Sequence, residues 1–249
     1  MQIDLGTHSL RIQQRGNGPP HFICLHGLVD TLEVWNTLAA PLADRGHVVA
    51  LDQRAHGGST APPGPYARED LAADVIATLD HVRVAETIVV AHSMGGIVAM
   101  TTALAFPDRV RGLVLLGAAS QCNERVAMWY ERIATAAESD GLPGLARAIY
   151  GNAETPELRG DAQGLAHVTR CLKSLHTHPL TPRLGAIRCP TLLVVGERDP
   201  MGPAASAIIA KQISGATLVT LPNVGHWVHV EAAEALLGVL DPFLAALPP

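Results

Sequence analysis

The chain has 249 residues, of which 48% are hydrophobic and 16% are charged. This length and composition suit one domain with a substantial core, and they exclude a disordered chain. The net charge is −5 at pH 7, with 18 Lys and Arg residues against 23 Asp and Glu residues and no basic block. Nucleic acid is therefore disfavoured as a partner, because phosphate binding needs clustered positive charge. We expect a small-molecule partner instead.

The cysteines and the N-terminal segment point to an intracellular protein. Four cysteines, Cys24, Cys122, Cys171 and Cys189, lie far apart along the chain. The segment MQIDLGTHSLRIQQ lacks the basic region and apolar run of a signal peptide. Charged residues, His or Pro interrupt every apolar run before it reaches about 18 residues, which excludes a membrane-spanning helix. We therefore predict a cytoplasmic protein with free thiols and no membrane partner.

Six short apolar runs bounded by Gly, Pro or Asp predict strands that are buried on both faces. In chain order they are HFICLHG (21–27), HVVALD (47–52), TIVVAHS (87–93), RGLVLLG (111–117), TLLVVGERD (191–199) and TLVTLP (217–222). Apolar residues at helical spacing lie between them, as in EDLAADVIATLDHV (69–82) and in GGIVAMTTALAF (95–106), which Pro107 ends. This alternation predicts an α/β fold with a doubly wound, mostly parallel sheet. Ligands of such sheets bind beyond the carboxyl ends of the strands.

One long segment, residues 121–184, interrupts the alternation. It contains no convincing strand, and its helical patterns are broken by GLPG, GNAETPELRG and Pro179. We interpret it as a helical cap inserted into an α/β core. The predicted core consists of residues 1–120 and 185–249.

A-H-S-M-G, beginning at Ala91, is a variant of the G-x-S-x-G nucleophile elbow. In this strand-to-helix turn, the residues two positions from the serine must be small. Gly95 meets that requirement, and Ala91 replaces the usual glycine with a methyl-sized side chain. The pattern predicts that Ser93 is a nucleophile whose hydroxyl projects into a cleft. The N–H groups of Met94 and of Leu28, in CLHGLVD, are the predicted oxyanion hole.

A serine nucleophile requires a base, and the base requires an orienting acid. In this kind of sheet the expected chain order is serine, acid, histidine. Asp199 follows a predicted strand in VVGERDP, and His226 follows the next strand in LPNVGHWVHVE, so both reach the same edge as Ser93. We predict His226 as the base and Asp199 as the acid. The alternatives are His229, three residues further on, and Asp52, at the end of an earlier strand.

Five motifs in this order resemble those of the α/β-hydrolase superfamily. They are HG (26–27), DQRAHGGS (52–59), AHSMGG (91–96), GERD (196–199) and GHWVHVE (225–231). The resemblance covers nearly the whole chain. It implies an eight-stranded sheet, a cap after the sixth strand, a triad of Ser93, Asp199 and His226, and no cofactor. DQRAHGGS is similar to the family's D-x-R-G-x-G-x-S turn, with Ala55 and His56 as departures, and its implied role is structural.

The segment MWYERIATAAESDGLPGL is similar to the W-x-x-R-I pattern of 3-oxoadipate enol-lactonases and their relatives. This second resemblance covers about one helix. It implies that Trp129 walls an acyl pocket and that Arg132 contacts a substrate carboxylate through a bidentate pair. The alternative for Arg132 is a structural arginine on a solvated helix. Trp227, beside the predicted base, is a further candidate for the wall of the substrate pocket.

These residues predict a serine hydrolase that cleaves a small carboxylic ester or lactone through an acyl-enzyme, without a metal or other cofactor. A second hypothesis is a carbon–carbon bond hydrolase of ring-cleavage diketones, which uses the same triad but usually has a glycine-richer loop than HGLVD. A third is a hydrolase-like receptor that binds a ligand in the same pocket and turns it over slowly. Haloalkane dehalogenases and epoxide hydrolases are disfavoured because they need a carboxylate at the position of Ser93.

Overall fold

The computed structural model describes residues 1–151 and 156–248. Eight strands are present in this part of the chain. They are β1 (Gln2–Asp4), β2 (Ser9–Arg15), β3 (His21–Leu25), β4 (His47–Leu51), β5 (Thr87–His92), β6 (Val110–Leu116), β7 (Thr191–Gly196) and β8 (Thr217–Leu221).

The helices alternate with the strands from β3 onwards. They are α1 (Asn36–Ala43), α2 (Arg68–His81), α3 (Met94–Ala105), α4 (Glu124–Tyr150), α5 (Ala162–Lys173), α6 (Gly202–Gln212), α7 (Val228–Glu231) and α8 (Ala233–Ala245). Among the residues that the structure describes, no helix is both long enough and apolar enough to cross a lipid bilayer.

The strands form one sheet in the order β1-β2-β4-β3-β5-β6-β7-β8. The pairs from β4 to β8 are parallel, whereas β1 and β2 are antiparallel to their neighbours. The predicted doubly wound, mostly parallel, eight-stranded sheet is therefore confirmed. The sequence search for apolar runs missed β1 and β2. Leu10 and Ile12 in β2 are buried but alternate with more exposed polar residues, a pattern typical of a strand covered on one face.

Two apolar layers explain why the central strands are continuous apolar runs. In β3, Ile23 and Leu25 pack into the layer that contains α2 and α3. Phe22 and Cys24 pack into the opposite layer, with residues of α1 and α8. The prediction of burial on both faces is wrong for β8, where only Leu221 is buried. This strand lies at the sheet edge with β7 as its one partner, so its side chains remain partly open.

The chain leaves the sheet between β6 and β7 to form α4 and α5, which pack against each other. The predicted break at GLPG is a kink within α4, where Gly141 has φ 65° and ψ −155°. Residues 152–155, in the predicted break GNAETPELRG, lie outside the described residues. No strand occurs in residues 121–151 and 156–184.

The strand order brings several loops to one edge of the sheet. Because β3 to β8 are parallel, their carboxyl ends all lie at this edge. The order reverses at β3, since β4 pairs on one side and β5 on the other. Ligand sites of open α/β sheets lie at such a reversal.

Candidate active site

Ser93 lies between the end of β5 and the start of α3. Its backbone has φ 51° and ψ −112°, a conformation that residues with a side chain rarely adopt. The neighbouring glycines are required by close packing. A Cβ on Gly95 would lie 2.2 Å from the carbonyl oxygen of Leu25, and one on Gly96 would lie 2.5 Å from the Cβ of Ala118. The chain therefore forms the tight turn that the A-H-S-M-G pattern predicts.

Asp199 and His226 form a hydrogen-bonded pair beyond β7 and β8. Nδ1 of His226 lies 2.9 Å from Oδ2 of Asp199. The other carboxylate oxygen, Oδ1, accepts a hydrogen bond of 2.8 Å from the backbone N–H of Met201. Asp199 is buried, with 5% of its surface exposed. A buried carboxylate on Nδ1 favours the tautomer with Nε2 free to accept a proton.

The two alternative residues are engaged elsewhere. The Asp52 carboxylate accepts hydrogen bonds from the backbone N–H groups of Leu32 (2.7 Å) and Gly58 (2.8 Å), and it pairs with Arg11. His229 is fully buried and stacks on Trp35 with ring centroids 4.4 Å apart. Burial lowers the pKa of His229 to about 3.

A cavity of about 450 Å³ adjoins this pair. Its lining is mostly apolar and includes Ser93 and His226. The two predicted oxyanion-hole residues, Leu28 and Met94, also line it. So do the two tryptophans predicted to form its wall, Trp129 and Trp227. Met94 is the first residue of α3, so its N–H has no acceptor within the helix.

Arg132 is not brought to the cavity. It is exposed, and it shares one face of α4 with Met128 and Thr135, which are exposed as well. The opposite face carries Tyr130 and the fully buried Ile133. Trp129 and Arg132 are three residues apart and therefore lie only about 60° apart around the helix. Trp129 nevertheless packs partly buried at the edge of the core, whereas Arg132 lies on the solvent side of that edge. The predicted contact of Arg132 with a substrate carboxylate does not fit this geometry.

Gly117, directly after β6, was missed by the sequence analysis. A Cβ at this position would lie 2.8 Å from Oδ2 of Asp199 and 3.1 Å from Nδ1 of His226. The residue also has φ +56°. Only glycine fits here without disturbing the Asp–His pair. The signal in the sequence that could have indicated this role was the position of Gly117 at the end of a predicted strand, next to the strand that leads to Ser93.

Glu231, at the end of α7, was also missed. Its Oε2 accepts a hydrogen bond of 2.7 Å from the N–H of Gly225, and its Oε1 accepts one of 3.0 Å from the N–H of Trp227. These two residues flank His226, so the carboxylate holds the backbone on both sides of the imidazole. The motif GHWVHVE contains Glu231, His226 and both flanking residues, but the spacing of the motif alone did not indicate these hydrogen bonds.

A third contact fixes the backbone of His226 from β5. The Nε2 of His92 lies 3.0 Å from the carbonyl oxygen of His226, so Nε2 carries the hydrogen that is donated. The pKa of His92 is lowered by its complete burial. On the other side of His92, Asp30 accepts a 3.3 Å hydrogen bond from the indole of Trp227.

The loop that carries Leu28 is anchored by His26. Nδ1 of His26 lies 2.8 Å from the carbonyl oxygen of Gly27, and Nε2 accepts a hydrogen bond of 3.0 Å from the N–H of Gln53. Burial lowers the pKa of His26, which favours the neutral ring that this pattern requires. Across residues 1–151 and 156–248, no three His, Cys, Asp or Glu side chains gather in a metal-binding arrangement.

The family model of the alpha/beta hydrolase family matches residues 22–239. The chain belongs to this family. It is 29% identical to 3-oxoadipate enol-lactonase 2 of Acinetobacter baylyi over 87% of this chain and 85% of the relative. It is 25% identical to 2-(acetamidomethylene)succinate hydrolase of Mesorhizobium japonicum, over 98% and 95%. The crystal structure of the enol-lactonase from Burkholderia xenovorans superposes with a TM-score of 0.88 at 25% identity, covering 98% of this chain and 100% of that one.

The alpha/beta hydrolase assignment confirms the resemblance that the motif order indicated. Relatives in this family include lactonases, so the chain is a member of a hydrolase family with small-molecule substrates.

Proposed function

We propose that this alpha/beta hydrolase cleaves a small carboxylic ester or lactone, with Ser93 as nucleophile, His226 as base and Asp199 as orienting acid. One observation carries the proposal. The hydrogen-bonded pair of Asp199 and His226 adjoins the same cavity that the strained Ser93 lines. Nucleophile, base and acid then stand in the order that an acyl transfer requires.

In the proposed reaction, His226 Nε2 removes the Ser93 hydroxyl proton while Oγ attacks the ester carbonyl carbon. The tetrahedral oxyanion accepts hydrogen bonds from the N–H groups of Met94 and Leu28, and Asp199 stabilises the imidazolium. The imidazolium returns its proton to the leaving alkoxide as the acyl-enzyme forms. Water then attacks the acyl carbon with His226 again as base, the bond between the acyl carbon and Ser93 Oγ breaks, and the imidazolium returns its proton to Oγ. A lactone yields one ring-opened acid, because its alcohol stays attached to the acyl group.

The helical segment 121–184 acts as the cap in this proposal, above a core of residues 1–120 and 185–249. Trp129, Tyr130 and Tyr150 from α4 line the cavity together with Leu172 from α5. A lining of this kind suits a compact apolar or cyclic acyl group better than a long polar chain. All four cysteines are free, which supports a reducing compartment such as the cytoplasm.

Arg198 takes the part in substrate binding that the sequence analysis gave to Arg132. It is the one Lys or Arg residue among the described residues that line the cavity. Its Nη2 donates to the neutral side chain of Asn223 at 2.6 Å. The cavity carboxylate of Glu231 already accepts two backbone hydrogen bonds. A substrate carboxylate would therefore be attracted to Arg198. The adipate and succinate derivatives in the two relatives' names carry such groups, which favours a lactone or ester with a carboxylate.

The test is hydrolysis of a panel of short p-nitrophenyl esters, neutral lactones, carboxylate-bearing enol-lactones and a ring-cleavage diketone. Ser93→Ala and His226→Ala are expected to lose activity by about 10³-fold or more, because triad members act as a unit. His229→Ala, the matched histidine control, is expected to retain most activity. Arg198→Met is expected to raise KM for the carboxylate-bearing lactone and to leave KM for neutral esters within about twofold.

The same panel of substrates tests the other two hypotheses. Turnover of the diketone but of no ester or lactone would replace the proposal with carbon–carbon bond hydrolysis. Tight binding with no turnover of any compound would favour the receptor. Full activity of Ser93→Ala would remove the proposed nucleophile, and a loss confined to His229→Ala would identify that residue as the base.

A further inference from the structure

A second concave site lies away from the candidate active site, where the inserted helix α5 meets the N-terminus of α2. It is a groove of about 360 Å³. Tyr66, Arg68 and Glu69 line it from the α2 side, and His167, Arg170 and His178 line it from α5 and the turn after it. None of these residues has a part in the proposed hydrolysis.

Arg68 is the unusual residue of this groove. Its surface is 8% exposed. Its Nη1 is buried and has no hydrogen-bond partner in the part of the chain that the structure describes. No carboxylate within residues 1–151 and 156–248 forms an ion pair with Arg68. Arginine is almost never buried without a partner, because the loss of hydration is not compensated. An anionic ligand in the groove would compensate the charge of this guanidinium.

The backbone at this position adds to the positive potential. Arg68 is the first residue of α2, a helix of 14 residues. The amides of the first helical turn have no acceptors within the helix, and the helix dipole places partial positive charge there. Asp70 accepts a hydrogen bond of 2.7 Å from the N–H of Ala67, the residue before the helix. The amides of Arg68 and Glu69 have no acceptor within α2.

The other charged residues of the groove are paired. Arg170 donates to Glu131 at 3.1 Å and to Glu138 at 2.8 Å, so its charge is largely compensated. Glu69 is exposed and faces Arg183 at 4.0 Å. The uncompensated charge in the groove is therefore that of Arg68.

We propose that this groove binds a small organic anion whose phosphate or carboxylate group pairs with Arg68 and the N-terminal amides of α2. The guanidinium fork matches either oxyanion. Such a ligand would contact α2 of the sheet domain and α5 of the insertion together. It would thus link the insertion to the sheet at a point separate from Ser93 and His226.

The proposal is tested by isothermal titration calorimetry with inorganic phosphate and with succinate, at an ionic strength held constant with chloride. The wild type is expected to bind at least one of the two anions in the groove, and Arg198→Met, which lacks the cationic group of the active-site cavity, is expected to bind it equally well. Arg68→Met is expected to bind it at least tenfold more weakly. Arg68→Lys keeps the charge but loses the fork, so an intermediate affinity is expected. Arg125→Met removes an exposed arginine from α4 and serves as the matched charge control, with wild-type affinity.

The two anions distinguish the sources of the ligand. Binding of phosphate alone assigns a phosphorylated ligand, and binding of succinate alone assigns a carboxylate. The proposal is overturned if the wild type binds neither anion, or if Arg68→Met binds as tightly as the wild type. Melting without anion is a second measurement. Because Met retains the length of the side chain and removes an unpaired buried charge, Arg68→Met is expected to melt at the wild-type temperature or above. A marked decrease would contradict an unpaired Arg68 and overturn the proposal.

Discussion

Two residues with positive φ determine the geometry of the candidate active site. Ser93 has φ 51°, which directs the turn between β5 and α3. Gly117 has φ 56°, and its missing side chain leaves room for the pair of Asp199 and His226. A third such residue, Ala55 with φ 69°, stands where the family's turn has glycine. A side chain in this conformation costs roughly 1–2 kcal/mol, so Ser93 and Ala55 carry strain that the surrounding contacts hold, whereas Gly117 adopts it freely.

Gly117→Ala is predicted to lower activity strongly while the protein still folds. The added methyl group would lie 2.8 Å from Oδ2 of Asp199, so the carboxylate must move and the imidazole loses its orientation. We expect kcat/KM for an ester to fall by about 10²-fold or more. The measurement is steady-state hydrolysis together with a thermal melt.

Gly215→Ala is the matched control for backbone strain. Gly215 has φ +73°, and no atom lies within 4 Å of a Cβ built there. This variant is expected to lose about 1 kcal/mol of stability and to keep wild-type kcat/KM. If both variants lost activity equally, strain rather than the Asp–His contact would account for the effect.

At the scale of elements, α7 and β5 hold the loop that carries the proposed base, His226. The helix α7 has only four residues, yet its last residue, Glu231, holds the loop from Gly225 to Trp227. The β5 residue His92 holds the same loop through the carbonyl of His226. His226 is therefore positioned by two elements besides its partner Asp199.

Glu231→Gln is predicted to lower kcat by about tenfold with a smaller change in KM. A neutral amide offers one acceptor in place of two, so one of the charge-assisted hydrogen bonds, worth about 1.5–3 kcal/mol, is lost. The measurement is kcat and KM over a range of pH. A change in the pH profile of kcat is expected, because the imidazole shifts relative to Asp199. An unchanged kcat with a reduced melting temperature would limit Glu231 to a structural role.

The orientation of α4 gives a second prediction at this scale. Trp129 lines the cavity, whereas Arg132 is exposed. Trp129→Ala is expected to raise KM by about tenfold, since a large aromatic contact with the acyl group is removed. Arg132→Ala is expected to leave KM within about twofold, including for a carboxylate-bearing lactone. The opposite result would require α4 to turn when substrate binds.

For the whole molecule, buried histidines connect stability to pH. His26, His56, His92 and His229 are all fully buried. Burial lowers the pKa of each, to about 3 for His56 and for His229. In the unfolded chain these four imidazoles bind protons below a pH of about 6.5, whereas in the native protein their lowered pKa values keep them neutral. Stability is therefore complete above that pH and is lost as the pH falls towards 3.

His229→Leu is predicted to make the protein less sensitive to acid. Neither ring nitrogen of His229 has a hydrogen-bond partner among the described residues, so leucine removes a buried polar group of similar size. Between pH of about 6.5 and 4.5, the variant is expected to lose up to about 2.7 kcal/mol less stability than the wild type. Urea unfolding at pH 7.5 and pH 4.5 measures this difference. Parallel losses in both proteins would show that other groups control acid unfolding.

The sequence by itself determined the α/β alternation, six of the eight strands and the turn at Ser93. These features depend on neighbours in the chain: uninterrupted apolar runs suit strands buried on both faces, and small residues after a serine permit a tight turn. It also placed Asp199 and His226 at strand ends that a parallel sheet brings to one edge.

The tertiary structure decided which side chains meet. His226 and His229 are three residues apart, yet one contacts Asp199 and the other stacks on Trp35. The exposed face of Arg132 and the contacts of Gly117 with the Asp–His pair were decided in the same way. Local patterns set the period of a helix or strand. The direction in which each residue points, and what it touches, depends on how distant elements pack.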